Sequence, residues 1–245
     1  IRDRLCRKAE NEWVGLPCGI LDQGTSTFGE TNRIVRIDCE GEEFSTLPLP
    51  TNTCLWIFDT GIKHDLVDSL YGTRNKECLD ALGILRRKEP ELKSLAYCPS
   101  ELLRRVKLPE IHGKRSLHVV EEQARVQQFV EGLNEGKSPR TLGPLLYESH
   151  RSSSLLFENS LPQLDFLVDS LMNEPDVYGA RLTGGGFGGA VLAWTSQAFD
   201  RQKANSVAKK YQESWQDNPS FNCFLPSEGA GCLLYTSPSP RDLST

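Results

Sequence analysis

The chain has 245 residues, 38% of them hydrophobic and 25% charged, a composition that supports a buried core and excludes disordered or collagen-like classes. Twenty-eight basic against 33 acidic residues give a net charge of −5 with no dense Lys/Arg cluster, which argues against a nucleic-acid partner. The longest uncharged run, residues 182–199, is interrupted by five glycines and two threonines and does not read as a membrane span.

Ile1, Leu5, Ala9 and Trp13 recur at four-residue spacing among charges, predicting an amphipathic helix over residues 1–13 with Glu10 off its apolar stripe. After the Gly15-Leu16-Pro17 break, residues 18–28 fit a short helix or a structured loop ending at Gly29. Residues 32–38 and 43–49 read as strands and 53–59 (TCLWIFD) as a buried strand, with Pro48 and Pro50 marking a boundary. Helical spacing follows over 62–85, 118–135, 141–158 and 161–172, and Ser160 ahead of Leu161-Pro162 suits an N-cap and first turn. Residues 178–183 are strand-like, 184–189 form a glycine loop, 190–195 a buried strand and 197–215 a helix. This order predicts an α+β domain, an antiparallel sheet covered on one face by helices.

No two of the eight cysteines lie closer than nine residues, so CxxC metal and redox spacings are absent, and the thiols are expected to be free and buried in a reducing cytoplasm. His64, His112, His118 and His150 share no metal-ligand spacing and read as structural. The string CLLYTSPSPRD from Cys232 to Asp242 resembles the translation of a transposon-end sequencing adapter, so residues 232–245 are expected to be artefact. With no initiator Met at Ile1, the sequence looks like a translated environmental DNA fragment of a longer protein.

The loop Arg181-Leu-Thr-Gly-Gly-Gly-Phe-Gly-Gly-Ala190 contains GxGxxG as Gly184, Gly186 and Gly189. A dinucleotide site requires a helix after the loop and an acid about 20 positions on. Here β-prone AVLAWT follows and Asp200 comes too early. Five glycines still need a reason, and close backbone packing and an anion-facing nest both supply one.

Glu10-Asn11 followed by Gly15-Leu-Pro-Cys-Gly-Ile-Leu-Asp-Gln23, with the Arg181–Gly189 loop far downstream, resembles the galactokinase family of the GHMP small-molecule kinases. Ile37-Asp38-Cys39, residues 69–78 (SLYGTRNKEC), Arg115, His118-Val-Val-Glu-Glu122 and Glu148-Ser-His150 support it. The resemblance covers residues 1 to about 231 and implies a two-domain α+β fold. Residues 1–50 would be the end of a ribosomal-S5-like N-terminal domain, and 51–231 a ferredoxin-like C-terminal domain. The family's sugar-binding opening motif and serine-rich phosphate loop have no counterpart in this sequence, so the chain as given is expected to be inactive.

The same resemblance implies ATP-dependent phosphorylation of the anomeric hydroxyl of α-D-galactose, with Mg²⁺, by a cytoplasmic protein that is monomeric when complete. Asp22 matches the general base facing the sugar and Glu10 the magnesium-binding carboxylate. Gly19 matches a backbone position approached by the sugar, and Tyr71 an aromatic beside its ring. Gly184, Gly185, Gly186 and Gly188 match a motif that supports the phosphate loop. Other readings of the same fold are a kinase for arabinose, a uronic acid or an amino sugar, and a non-catalytic galactose sensor.

Overall fold

The computed structural model describes residues 2–15, 18–62 and 67–230, and the chain divides into two compact units: Ile1–Pro48 with the chain from Pro226 onward, and Leu49–Leu225. His64, residues 16–17 of the predicted break, and the tail 232–245 lie outside the described residues.

In the first unit, α1 (Arg2–Ala9) runs into one π-helical turn, Glu10–Val14, which Gly15 closes at φ +78° by donating its N–H to the Glu10 carbonyl. The left-handed conformation needed for that cap is the one glycine adopts without strain. Of the two sequence alternatives for residues 18–28, a helix forms, α2 (Leu21–Phe28). It lies on the antiparallel hairpin β1 (Arg33–Asp38) and β2 (Glu43–Pro48), which pair in register from Arg33↔Pro48 to Asp38↔Glu43. Phe28 stacks on Phe44 at 4.2 Å between ring centroids, and Gly24 sits directly against the Phe44 ring with no room for a Cβ. The returning chain is tied in by main-chain bonds, Gly229 N–H to Gly29 O at 2.8 Å and Asn32 N–H to Pro226 O at 3.1 Å.

The second unit is built on β3 (Thr53–Asp59). Helix α3 (Val67–Arg86) follows, then a short 3-10 turn, Leu95–Tyr97, and helices α4 (Ser100–Arg105) and α5 (Glu110–Asn134). The stretch read as a single helix over 141–158 is instead α6 (Pro139–Leu142), α7 (Pro144–Ser152) and a π-helical turn, Ser153–Phe157. Gly143 and Pro144 cause the break. Proline supplies no N–H, and Gly143 is pressed so closely on the Tyr178 carbonyl that any side chain would overlap it.

Then come α8 (Pro162–Met172), β4 (Val177–Thr183), β5 (Ala190–Ser196), α9 (Arg201–Trp215) and β6 (Ser220–Phe224). The four strands form an antiparallel sheet in the order β4-β5-β3-β6. Asp200 caps α9 by accepting the Lys203 N–H at 2.9 Å. Ser160 does not cap α8: Leu161 occupies that position, and the Ser160 hydroxyl donates to Asp165 in the first turn at 2.5 Å.

One sheet face packs on α8 and α9. Trp56, Phe58, Ala180, Leu182, Val191 and Ala193 meet Leu164, Leu167, Val168, Leu171, Val207 and Tyr211, all buried. By strand alternation Trp194 faces the other way, yet it is 2% exposed, with Phe129 of α5 and Tyr178 edge-on at 5.6 and 5.8 Å. That face is therefore partly covered too. A second core, with Ala81, Leu82 and Leu85 of α3 at its centre, joins α3 to the 3-10 turn, α4 and α5.

The cysteine expectation needs correction. The seven described cysteines are free thiols, but Cys98 alone among them is buried, while Cys6, Cys39 and Cys223 are exposed. Cys6 lies on α1, Cys39 just past the end of β1 and Cys223 on the edge strand β6, positions that spacing along the chain does not reveal. No described helix is long and apolar enough to cross a membrane.

Candidate active site

The predicted site residues fall in both units. In the first, Asp22 stands in the opening turn of α2, where the helix dipole favours a carboxylate, exposed and without a side-chain partner among the described residues. Glu10 opens the π-helical turn, and its Oε2 accepts the Cys18 thiol at 2.9 Å. Asn11 Oδ1 accepts the Cys18 N–H at 2.9 Å, and Gln23 Nε2 reaches the Cys18 sulfur at 3.8 Å. The two motifs, Glu10-Asn11 and CGILDQ, are thus joined through Cys18. The Glu10 carboxylate beside it raises the Cys18 pKa, so the thiol stays protonated and serves as a donor. A Cβ built on Gly19 would meet nothing within 4 Å, so nothing in the described chain requires glycine there.

Glu10 fits the hard, oxygen-donor chemistry of magnesium: one carboxylate, half-buried, with Oε2 engaged by a weak thiol donor. No group of three or more His, Cys, Asp or Glu side chains among the described residues could hold a metal ion. An ion at Glu10 would therefore share its coordination with water and phosphate oxygens, as magnesium ordinarily does.

In the second unit, the glycine loop joins β4 to β5 beyond the Thr183↔Ala190 pair, so a strand follows it, as the sequence reading required. Gly184, Gly186, Gly188 and Gly189 have φ of +80°, +82°, +131° and +75°, and Phe187 +59°. Gly186 also has no room for a Cβ, which would collide with the Asn159 carbonyl. Asn159 holds the loop twice, accepting the Phe187 N–H at 2.7 Å and donating Nδ2 to the Gly185 carbonyl at 3.1 Å. Thr60 donates both its N–H, at 2.9 Å, and its hydroxyl, at 2.8 Å, to the Gly189 carbonyl. The amides of Gly184, Gly185, Gly186 and Gly188 meet no acceptor among the described residues. Both roles left open for the glycines are compatible with this geometry: Gly186 is there for close packing, while unpaired amides suit a neighbouring backbone or an anion. Tyr71 on α3 is 38% exposed and lies beside Gly185, so α3 and the loop bring these two predicted residues together.

Behind the loop lies an ionic network. Arg115 of α5, 1% exposed, donates to Glu77 of α3 at 2.6 Å, to Glu158 at 2.8 Å and to the Leu156 carbonyl at 2.5 Å. Arg74 donates to the Phe157 carbonyl at 2.7 Å, pairs with Glu77 at 3.2 Å and lies over the Phe187 ring at 5.7 Å. The Arg115 fork beside Glu158 holds that carboxyl below its usual range.

Residues 129–217 match the family model described as GHMP kinases C terminal. The chain is 36% identical over 228 residues to a galactokinase of Thermotoga neapolitana, covering 92% of this chain and 63% of that protein. It is also 36% identical over 229 residues to a galactokinase of Thermococcus kodakarensis, covering 94% of this chain and 63% of that protein. A crystal structure of Lactococcus lactis galactokinase complexed with galactose superposes with a TM-score of 0.86 at 27% identity, over 92% of this chain and 59% of that one. The chain is similar to galactokinases along almost its whole length. It spans less than two thirds of the length of those relatives.

The α+β fold is that of the GHMP kinase C-terminal domain. Sequence reasoning missed Asn159, Thr60 and Glu158, and it named Arg115 and Glu77 only as part of the resemblance. A signal for Asn159 was present: a polar residue just ahead of Ser-Leu-Pro, between two helical stretches, is placed to cap or bridge rather than to be buried idly.

His118 is half-buried, its Nδ1 lying 2.9 Å from the Ser152 hydroxyl and its ring stacked on Phe157 at 4.6 Å. Burial, opposed by nearby Glu122, pushes its pKa down from 6.5 to about 4. The unfolded chain takes up this proton near pH 6.5 and the folded chain only near pH 4, so stability is full above that window and falls as the pH drops through it. The expected loss is on the order of 2 kcal/mol. Urea midpoints measured from pH 7 to pH 4 should fall for the native chain and flatten for His118→Asn; equal slopes for both would remove His118 as the cause.

Proposed function

We propose that the complete protein transfers the γ-phosphoryl group of ATP to the anomeric oxygen of α-D-galactose, yielding galactose 1-phosphate and ADP. The observation that carries this reading is Asp22: a carboxylate at a helix N-terminus, exposed and unengaged, in a motif braced to Glu10 through Cys18. The similar galactokinases and the galactose-bound structure support the sugar.

In the proposed reaction Asp22 orients the sugar hydroxyl and accepts its proton as the O–P bond forms and the bond to the ADP oxygen breaks. Glu10 would hold magnesium, which neutralises charge on the phosphates. Gly19 leaves its backbone open to the sugar, Tyr71 offers an aromatic face, and Gly184, Gly185, Gly186 and Gly188 support the phosphate-binding segment. The same reading places the protein in the cytoplasm as a monomer.

The test is ADP release by the protein expressed at its relatives' full length, against galactose, arabinose, galacturonate and galactosamine. Galactose should be turned over with the highest kcat/KM, and the chain as given should show no turnover. Preference for another of these sugars, or galactose binding without ADP release, would replace the reading with one of the alternatives.

A further inference from the structure

Two elements converge on the glycine loop, and both pass through side chains to which no role has been given. His150 on α7 is 6% exposed. Its Nδ1 accepts the Leu182 N–H of β4 at 3.2 Å, two residues before the loop begins. An acceptor at Nδ1 leaves the ring proton on Nε2, and Nε2 lies 3.1 Å from Asp165 Oδ1, within ion-pair distance though not aligned as a hydrogen bond. Asp165 in turn accepts the Ser160 hydroxyl at 2.5 Å and the Ser154 hydroxyl at 3.1 Å. Those serines flank Asn159, which grips the loop at Gly185 and Phe187. Burial alone would raise the Asp165 carboxyl, but the His150 ring and the two hydroxyls outweigh it and keep it below its usual range.

We propose that His150 and Asp165 are positioning residues that set the glycine loop from both ends, His150 fixing the strand that enters it and Asp165 fixing the Asn159 segment that holds its middle. Neither end is free to relax. Leu182 is followed by Gly184 and Gly186 at positive φ, and Gly186 has no clearance from Asn159, so a shift of either anchor moves the loop backbone rather than a side chain. The two anchors share one carboxylate. Losing Asp165 therefore frees the His150 ring to turn away from Leu182 and at the same time releases Ser154 and Ser160. The chain as given reports the brace itself. The consequence for catalysis rests on the proposed function, in which the loop supports the phosphate-binding segment.

Amide hydrogen exchange and imidazole ¹⁵N spectra of the chain provide the first test. The ring should be protonated on Nε2. Asp165→Asn, which preserves shape but removes the charge facing His150 and weakens acceptance from the serines, should speed exchange at Leu182 and Phe187 about tenfold, the worth of one hydrogen bond, while Ile57 and Phe58 in the rest of the sheet stay protected. His150→Asn, whose Oδ1 can replace Nδ1, should retain protection at Leu182, and His150→Leu should lose it. Unchanged exchange at Leu182 and Phe187 in Asp165→Asn, or an Nδ1-protonated ring, would overturn the proposal, even if the melting temperature falls.

In the full-length protein, Asp165→Asn should raise KM for ATP about tenfold with KM for galactose unchanged. A loosened loop with an unmoved KM for ATP would support the brace and overturn instead the role given to the loop under the proposed function.

Discussion

Asp22→Asn in the full-length protein should lower kcat for galactose by roughly 10² to 10⁴, the usual worth of a positioned proton acceptor. Asparagine keeps the size of aspartate and cannot take the proton at neutral pH, so binding of ATP and sugar should hardly change. Exposure of the carboxylate makes this a clean substitution: Asp22 has no partner among the described residues, and no fold-stabilising contact is lost. Calorimetry of both ligands with single-turnover rates separates chemistry from binding. A variant with native kcat and native affinities would take Asp22 out of the mechanism. If phosphoryl transfer is so loose that the proton leaves late, the loss falls to the low end of that range, and orientation of the hydroxyl is what Asp22 supplies.

Arg115→Leu should cost about 3 to 5 kcal/mol, the penalty for stripping the partner from buried charge. Arg115 is 1% exposed and binds two carboxylates and a carbonyl, so its removal leaves Glu77 with Arg74 alone and Glu158 with Arg74 and Lys114. The exposed side of Glu158 keeps the cost toward the lower figure. Arg115→Lys should recover part of the loss, since it restores the charge and not the fork that spans three acceptors. Equal stability of Arg115→Leu and the native chain in urea would show that the network contributes nothing net.

Elements with a strong single pattern were legible. TCLWIFD gives β3 at 53–59 and AVLAWTS gives β5, because each run holds five consecutive apolar residues and is flanked by turn residues. Helix α5 begins at Glu110, eight residues before the predicted 118, because Pro109 starts it and the charged first turns hide its period. Edge strand β6 and helix α4 were not anticipated: SFNCF is half polar, and SELLRR is too short to show a period. The site was legible as motif and illegible as wiring. Asp22, Glu10 and the glycines stand out through the resemblance of their motifs, whereas the bonds of Cys18, Asn159 and Arg115 join residues up to 43 positions apart or lie across separate helices. Only tertiary contact reveals partners of that kind.

The second unit contains two apolar clusters, one between the sheet and α8 and α9, the other among α3, the 3-10 turn, α4 and α5. Arg115 and Arg74 extend from the second cluster to the backbone at Leu156 and Phe157, and from there the chain continues to Asn159 and the loop. Cooperative unfolding need not therefore be uniform along the chain. The helical cluster can open as a sub-global unit while the sheet core persists, and the ion pairs at its seam determine how often it does so. Each such opening releases the support behind the glycine loop. The fraction of molecules with a competent loop is then a thermodynamic property of the helices behind it.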